Sequence, residues 1–122
     1  MVKKILIIED EANLRSLVST ILEMEGYQVS MAGNGAEGKT KAQIENPDLI
    51  LLDVIMPQGN GYQIATELSL DAKTKKIPIV LMTGTAQMVG EGIGVSTPAV
   101  GKLSKPFGKD QLIQSVRKHI KQ

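Results

Sequence analysis

The sequence predicts an α/β domain in which a parallel sheet is covered on both faces by helices. Residues 5–8, 49–52 and 79–82 are short apolar runs without alternation, the pattern of strands buried on both sides rather than on one. Between the first two runs, Leu14, Leu17, Val18 and Ile21 recur at helical spacing. The order strand, helix, strand, helix then implies right-handed crossovers between parallel strands.

The elements follow in order. The first strand, residues 5–8, ends on Glu9, Asp10 and Glu11, and a helix over residues 11–26 has Leu22 and Met24 flanking its apolar face and Gly26 as its stop. Residues 27–31 read as a second strand. A second helix over residues 34–44 carries Gly35 and Gly38 and has only Ala36, Ala42 and Ile44 to bury, a thin packing face. The third strand closes on Asp53, and residues 71–76 form a charged loop before Ile77 and the fourth strand, which ends at Thr83. Residues 84–101 hold five of the twelve glycines. Gly90, Gly92 and Gly94 inside one helix would cost about 3 kcal/mol relative to alanine, so a short, frayed or irregular fourth helix is expected there. Lys105-Pro106 follows the fifth strand, and the last helix, residues 109–121, places Leu112, Ile113, Val116 and Ile120 at helical spacing.

A length of 122 residues suits one domain, and 42% apolar with 22% charged residues is ordinary for a chain that folds. Fourteen Lys and Arg against thirteen Asp and Glu give a net charge of +1, which excludes nucleic-acid binding driven by bulk charge. The absence of cysteine excludes disulfides, thiolate zinc sites and cysteine nucleophiles. Residues 5–8 are too short a run for a signal peptide, and no apolar run approaches the roughly 20 residues that span a bilayer. A soluble cytoplasmic protein is expected. With Tyr27, Tyr62 and Phe107 as the whole aromatic complement, there is no stacking platform for bases. The core must come from Ile, Leu, Val, Ala and some of the methionines at 24, 31, 56, 82 and 88. His119, among Arg117, Lys118 and Lys121, reads as a solvated surface residue.

In open α/β sheets the binding crevice lies outside the carboxyl ends of the strands. Those ends bring together Glu9, Asp10, Glu11, Asp53, Thr83 and Lys105. Two carboxylates about 5 Å apart at an effective dielectric near 20 repel by about 3 kcal/mol, enough to move a pKa by roughly two units. A divalent cation or the lysine ammonium would relieve this, and an oxygen-only ligand set favours Mg²⁺, Mn²⁺ or Ca²⁺ over zinc.

Four segments then carry a resemblance: Lys4-Ile5-Leu6-Ile7-Ile8-Glu9-Asp10-Glu11; Pro47-Asp48-Leu49-Ile50-Leu51-Leu52-Asp53-Val54-Ile55-Met56-Pro57 with Gly61; Leu81-Met82-Thr83-Gly84; and Leu103-Ser104-Lys105-Pro106-Phe107. In this combination and spacing the chain resembles the receiver domain of two-component response regulators, of the stand-alone, chemotaxis-regulator-like kind. The resemblance implies a flavodoxin-like, doubly wound fold: a five-stranded parallel sheet in the order 2-1-3-4-5 flanked by five helices, as a single domain over residues 1–122 without an output domain. It implies Asp53 as acceptor of a phosphoryl group from a histidine kinase or histidine phosphotransfer protein. Mg²⁺ or Mn²⁺ would be held by Asp10, Glu9, Asp53 and the Ile55 backbone carbonyl, with Glu9 standing where an Asp is commoner. Thr83 and Lys105 would contact the phosphoryl oxygens, and the Lys105-Pro106 bond would be cis. Partners would approach the first helix near residues 13–18 and the loop at 105–108, with an unidentified protein downstream, no direct contact with nucleic acid or membrane, and a monomeric or weakly dimeric state. The chemistry would be self-catalysed phosphoryl acceptance and slow autodephosphorylation, not that of an enzyme proper.

The family usually places Tyr or Phe three residues before its lysine, and here that position is Lys102, whose charged end cannot be buried as a ring can. The expectation is that activation orders residues 84–101. An aspartate-nucleophile phosphohydrolase would need a second Asp two residues after the first, where this chain has Ile55. A receiver-like interaction scaffold that binds metal without switching is the alternative reading.

Overall fold

The computed structural model describes residues 2–56, 59–84 and 98–121. Its elements are β1 (Lys4–Ile8), α1 (Ala12–Met24), β2 (Gln28–Ala32), α2 (Gly35–Glu45), β3 (Leu49–Asp53), β4 (Ile55–Met56), β5 (Gly59–Asn60), α3 (Gly61–Leu70), β6 (Ile79–Thr83), β7 (Gly101–Ser104) and α4 (Lys109–His119). Five strands form one sheet in the order β2-β1-β3-β6-β7, and all four pairings are parallel. Counting that sheet's own strands, this is the expected 2-1-3-4-5. Four of the five expected helices lie among the described residues, and the expected fourth, within 84–101, falls mostly outside them. The antiparallel pair of β4 and β5 was not anticipated; Ile55 faces Asn60 and Met56 faces Gly59 in it.

Strand alternation divides the core in two. Leu6, Ile8, Ile50, Leu52, Ile79 and Leu81 pack with Ala42 of α2 and Ala65 and Leu68 of α3. Ile5, Ile7, Leu49, Leu51, Val80 and Met82 pack with Val18 and Leu22 of α1 and Leu112 and Val116 of α4. Successive side chains point to opposite faces, so every residue of β3 and β6 is buried, as the unbroken apolar runs require.

The helices depart from their sequence patterns in instructive ways. On α1, Val18, Ser19 and Leu22 are the buried positions, whereas Leu17 and Met24 are exposed; the packed stripe is turned away from Leu17. On α2, Ala36 and Ile44 are exposed and the buried residues are Gly38 and Ala42. The glycines that looked like weaknesses let the backbone approach. A Cβ at Gly38 would lie 2.4 Å from Ile8 Cδ1, and one at Gly35 2.5 Å from Ile64 Cδ1. His119 is half-buried rather than solvated, with its ring over Gly101, where a Cβ would fall 2.4 Å from Nε2. Of the methionines, Met56 and Met82 are core, Met24 and Met31 are exposed, and Met88 lies outside the described residues. Among the described residues, no helix is long and apolar enough to cross a membrane.

Candidate functional site

The chain passes to opposite sides of β1 after β1 and β3, so the turns leaving these two central strands diverge and open a crevice at their carboxyl ends. Glu9 and Asp10 leave β1, Asp53 ends β3, Thr83 ends β6 and Lys105 follows β7. The structure brings Glu9, Asp10, Asp53 and Lys105 together, places Thr83 at the end of the neighbouring strand β6, and turns the Glu11 carboxylate to the start of α1. Glu9, Asp53 and Thr83 are buried, Asp10 is exposed and Lys105 is half-buried.

One lysine ties the two buried acids. Lys105 Nζ donates to Glu9 Oε1 and to Asp53 Oδ1, each at 3.0 Å. Glu9 Oε2 accepts the Glu11 N–H at 3.1 Å, and the Glu9 backbone carbonyl accepts from Arg15 Nη1 at 2.7 Å. Glu11, in turn, caps α1 by accepting the N–H groups of Asn13 and Leu14, each at 2.9 Å. The Ile55 N–H reaches Asp53 Oδ1 at 3.4 Å. Gly61 lies so close behind this strand end that a Cβ would sit 2.3 Å from the Asp53 carbonyl oxygen. The Lys105-Pro106 peptide is cis, as expected, and the Lys105 N–H donates to the Thr83 carbonyl at 2.5 Å.

These surroundings shift the titrating groups. Burial raises Glu9 to about 7; hydrogen bonds from Glu11 and Lys105 pull it down, and Asp53 pushes it up. Loss of solvent outweighs the carboxylate repulsion that the sequence argument put first. Burial also opposes charge on Lys105, but its hydrogen bonds to Asp53 and Glu9 prevail and raise its pKa. Glu9, Asp10 and Asp53 each offer an oxygen, all within 4.8 Å of one another. Such a hard, all-oxygen cluster suits Mg²⁺ or Mn²⁺. The Thr83 hydroxyl is buried without a hydrogen-bond partner among the described residues, a donor left for something that enters the crevice. Lys102 is exposed on β7.

Beside the crevice, Leu14, Leu17 and Ile21 of α1 face Pro106 and Phe107 across an apolar groove edged by Lys105 and Lys109. This explains the exposure of Leu17. Sequence reasoning missed Arg15, because an arginine on an amphipathic helix carries no signal that it will fold back onto a strand end.

Residues 5–117 match the family described as the response regulator receiver domain. The protein PilH of Pseudomonas aeruginosa is 34% identical over 113 residues, covering 93% of this chain and 93% of that protein. The probable transcriptional regulator ycf27 of Cyanophora paradoxa is 36% identical over 115 residues, 94% of this chain but 47% of its own length; the chain thus spans about half of some curated relatives. The chemotaxis protein CheY4 of Vibrio cholerae superposes with a TM-score of 0.84 at 30% identity, covering 97% of this chain and 98% of that one. With its sheet order, its edge of acids and lysine, and a match over nearly its whole length, this chain belongs to the response regulator receiver domain family.

Proposed function

We propose that Asp53 accepts a phosphoryl group from the phosphohistidine of a histidine kinase or histidine phosphotransfer protein, and that the phosphorylated chain presents an altered surface to a downstream protein. The observation that carries this reading is the convergence at one sheet edge of buried Asp53, Lys105 at 3.0 Å from both Asp53 and Glu9, and a buried Thr83 hydroxyl without a partner among the described residues.

An Asp53 carboxylate oxygen attacks phosphorus in line with the leaving imidazole nitrogen. The P–O bond forms as the P–N bond breaks, and the nitrogen keeps the electron pair. An ionised carboxylate is ready as a nucleophile because no proton has to be removed from it. Catalysis of phosphoryl transfer is then mostly positioning and charge. Lys105 has three donors and can release Glu9 to meet a phosphoryl oxygen while it stays near Asp53. Thr83 supplies a second, neutral donor.

Glu9, Asp10 and Asp53, with the Ile55 backbone carbonyl, would hold Mg²⁺ or Mn²⁺, which their donor chemistry fits. Bound there, the ion would neutralise charge gathering on the phosphoryl oxygens. Ile55 stands where a hydrolase of the aspartate-nucleophile kind would need its acid, so acceptance and slow loss of the group are the expected chemistry. The apolar groove between α1 and Pro106-Phe107 supports docking of a helical donor protein beside Asp53.

The test is incubation with acetyl phosphate, with and without Mg²⁺, followed by intact mass, beside Asp53→Asn. One metal-dependent phosphoryl group on the wild type alone is the expected result. No added mass, together with spectra unchanged by beryllofluoride, would replace this reading with that of a metal-binding scaffold.

A further inference from the structure

We propose that Arg15 is a positioning residue for the acidic site, holding the turn after β1 so that the Glu9 and Asp10 carboxylates face Asp53. The inference deepens the function proposed above and rests on it for the identity of the metal.

Arg15 is the fourth residue of α1, one turn after the acids. Its Nη1 reaches back to donate to the Glu9 carbonyl at 2.7 Å, a charge-assisted hydrogen bond to the backbone between the two acids. The other restraints on this turn act elsewhere. The Glu9 N–H donates to the Ala32 carbonyl at 3.0 Å, and the Glu9 side chain is held by Glu11 and Lys105. The Asp10 carboxylate is exposed, and the peptide joining Asp10 to Glu9 fixes where its Cα and Cβ lie. That peptide's carbonyl is the one Arg15 holds. The guanidinium also lies against the turn after β2: a Cβ at Gly33 would be 3.4 Å from Nη1. Gly33 is itself tied to α2, its N–H donating to Glu37 Oε1 at 2.8 Å. Arg15 thus braces one loop of the crevice against its neighbour.

The sign of the effect separates positioning from bulk electrostatics. A cation bonded to the backbone of the acidic turn repels Mg²⁺, so removing its charge should tighten metal binding if charge were all that mattered. If Arg15 positions the turn, its removal weakens binding, as loss of an outer partner of metal ligands does by about 10–100-fold. Lysine keeps the charge but lacks the rigid planar fork.

The experiment compares the wild type with Arg15→Gln and Arg15→Lys, reading the Mg²⁺ dissociation constant from amide chemical shifts at fixed ionic strength. Hydrogen exchange at the Glu11 amide is read on the metal-free proteins, and urea unfolding corrects it for global stability. The expected result is that Arg15→Gln binds Mg²⁺ about tenfold or more weakly, exchanges faster at Glu11, and is partly rescued in Arg15→Lys. Tighter or unchanged Mg²⁺ binding with unchanged Glu11 exchange would overturn the inference. A wild type that ignores Mg²⁺ would instead fail the functional reading, and metal-free exchange would still decide for or against Arg15 as the brace.

Discussion

The burial of Glu9 predicts a metal-free protein that is more stable in mild acid than at neutral pH. Its carboxyl is 1% exposed and titrates near 7 in the folded chain, against 4.5 for the free group. Between those values the folded state holds a proton that the unfolded state has released, so stability falls as pH rises from 4.5 to 7 and levels off above. One proton gives a slope of up to about 1.4 kcal/mol per pH unit, and integration from pH 5.5 to pH 8 gives a loss of about 2 kcal/mol. At a urea slope of about 2 kcal/mol/M this moves the midpoint by about 1 M. The assay is urea unfolding followed by far-ultraviolet circular dichroism in EDTA at both pH values, with Glu9→Gln as control because groups away from the site titrate equally in both proteins. The wild type should lose stability relative to Glu9→Gln as pH rises. Equal pH dependence in the two proteins would refute the reasoning.

At the proposed metal site the same group would couple metal to pH in the opposite sense. Mg²⁺ held by Glu9 would need that carboxyl ionised, so its apparent affinity should fall by up to about tenfold per pH unit below 7, measurable by calorimetry at two pH values. Lys105→Met removes the cation that occupies Glu9 and Asp53 and should bind Mg²⁺ more tightly while accepting the phosphoryl group more slowly, as titration and mass spectrometry would show. Gly38→Ala should lose about 1–2 kcal/mol in urea unfolding, since overpacking against Ile8 exceeds the helix-propensity gain; Ile8→Val, which removes Cδ1, the nearest of the three crowding atoms, should restore part of it in a double-mutant cycle. Thr74→Val breaks the buried hydrogen bond from Oγ1 to the Leu68 carbonyl at 2.6 Å and should cost about 1–2 kcal/mol by the same measurement.

The sheet and its acidic edge were legible in the linear chain because the relevant signals are local. An apolar run of four residues fits a strand buried on both faces of a covered parallel sheet, and polar residues placed just after such parallel strands meet at one edge. Glu9, Asp10, Asp53, Thr83 and Lys105 follow from that argument; the structure puts the three acids and Lys105 together and ends β6 on Thr83. The expected ordering of residues 84–101 on activation concerns a segment mostly outside the described residues.

What tertiary structure alone decided depends on neighbours that the local pattern does not specify. Periodicity placed Leu17 on a buried face, but the sheet offers α1 a narrower seat and leaves Leu17 to line a groove. Propensity counted Gly35 and Gly38 as weak points, whereas packing uses their missing side chains to bring α2 against Ile8 and Ile64. His119 belonged to a basic surface turn until Gly101 offered its ring a bed on β7. Chemistry-bearing residues can thus be read from type and position, since sheet topology gathers strand ends. Their pKa values, braces and covered surfaces arise from the loss of solvent and the closeness of distant backbone, which only the folded chain supplies.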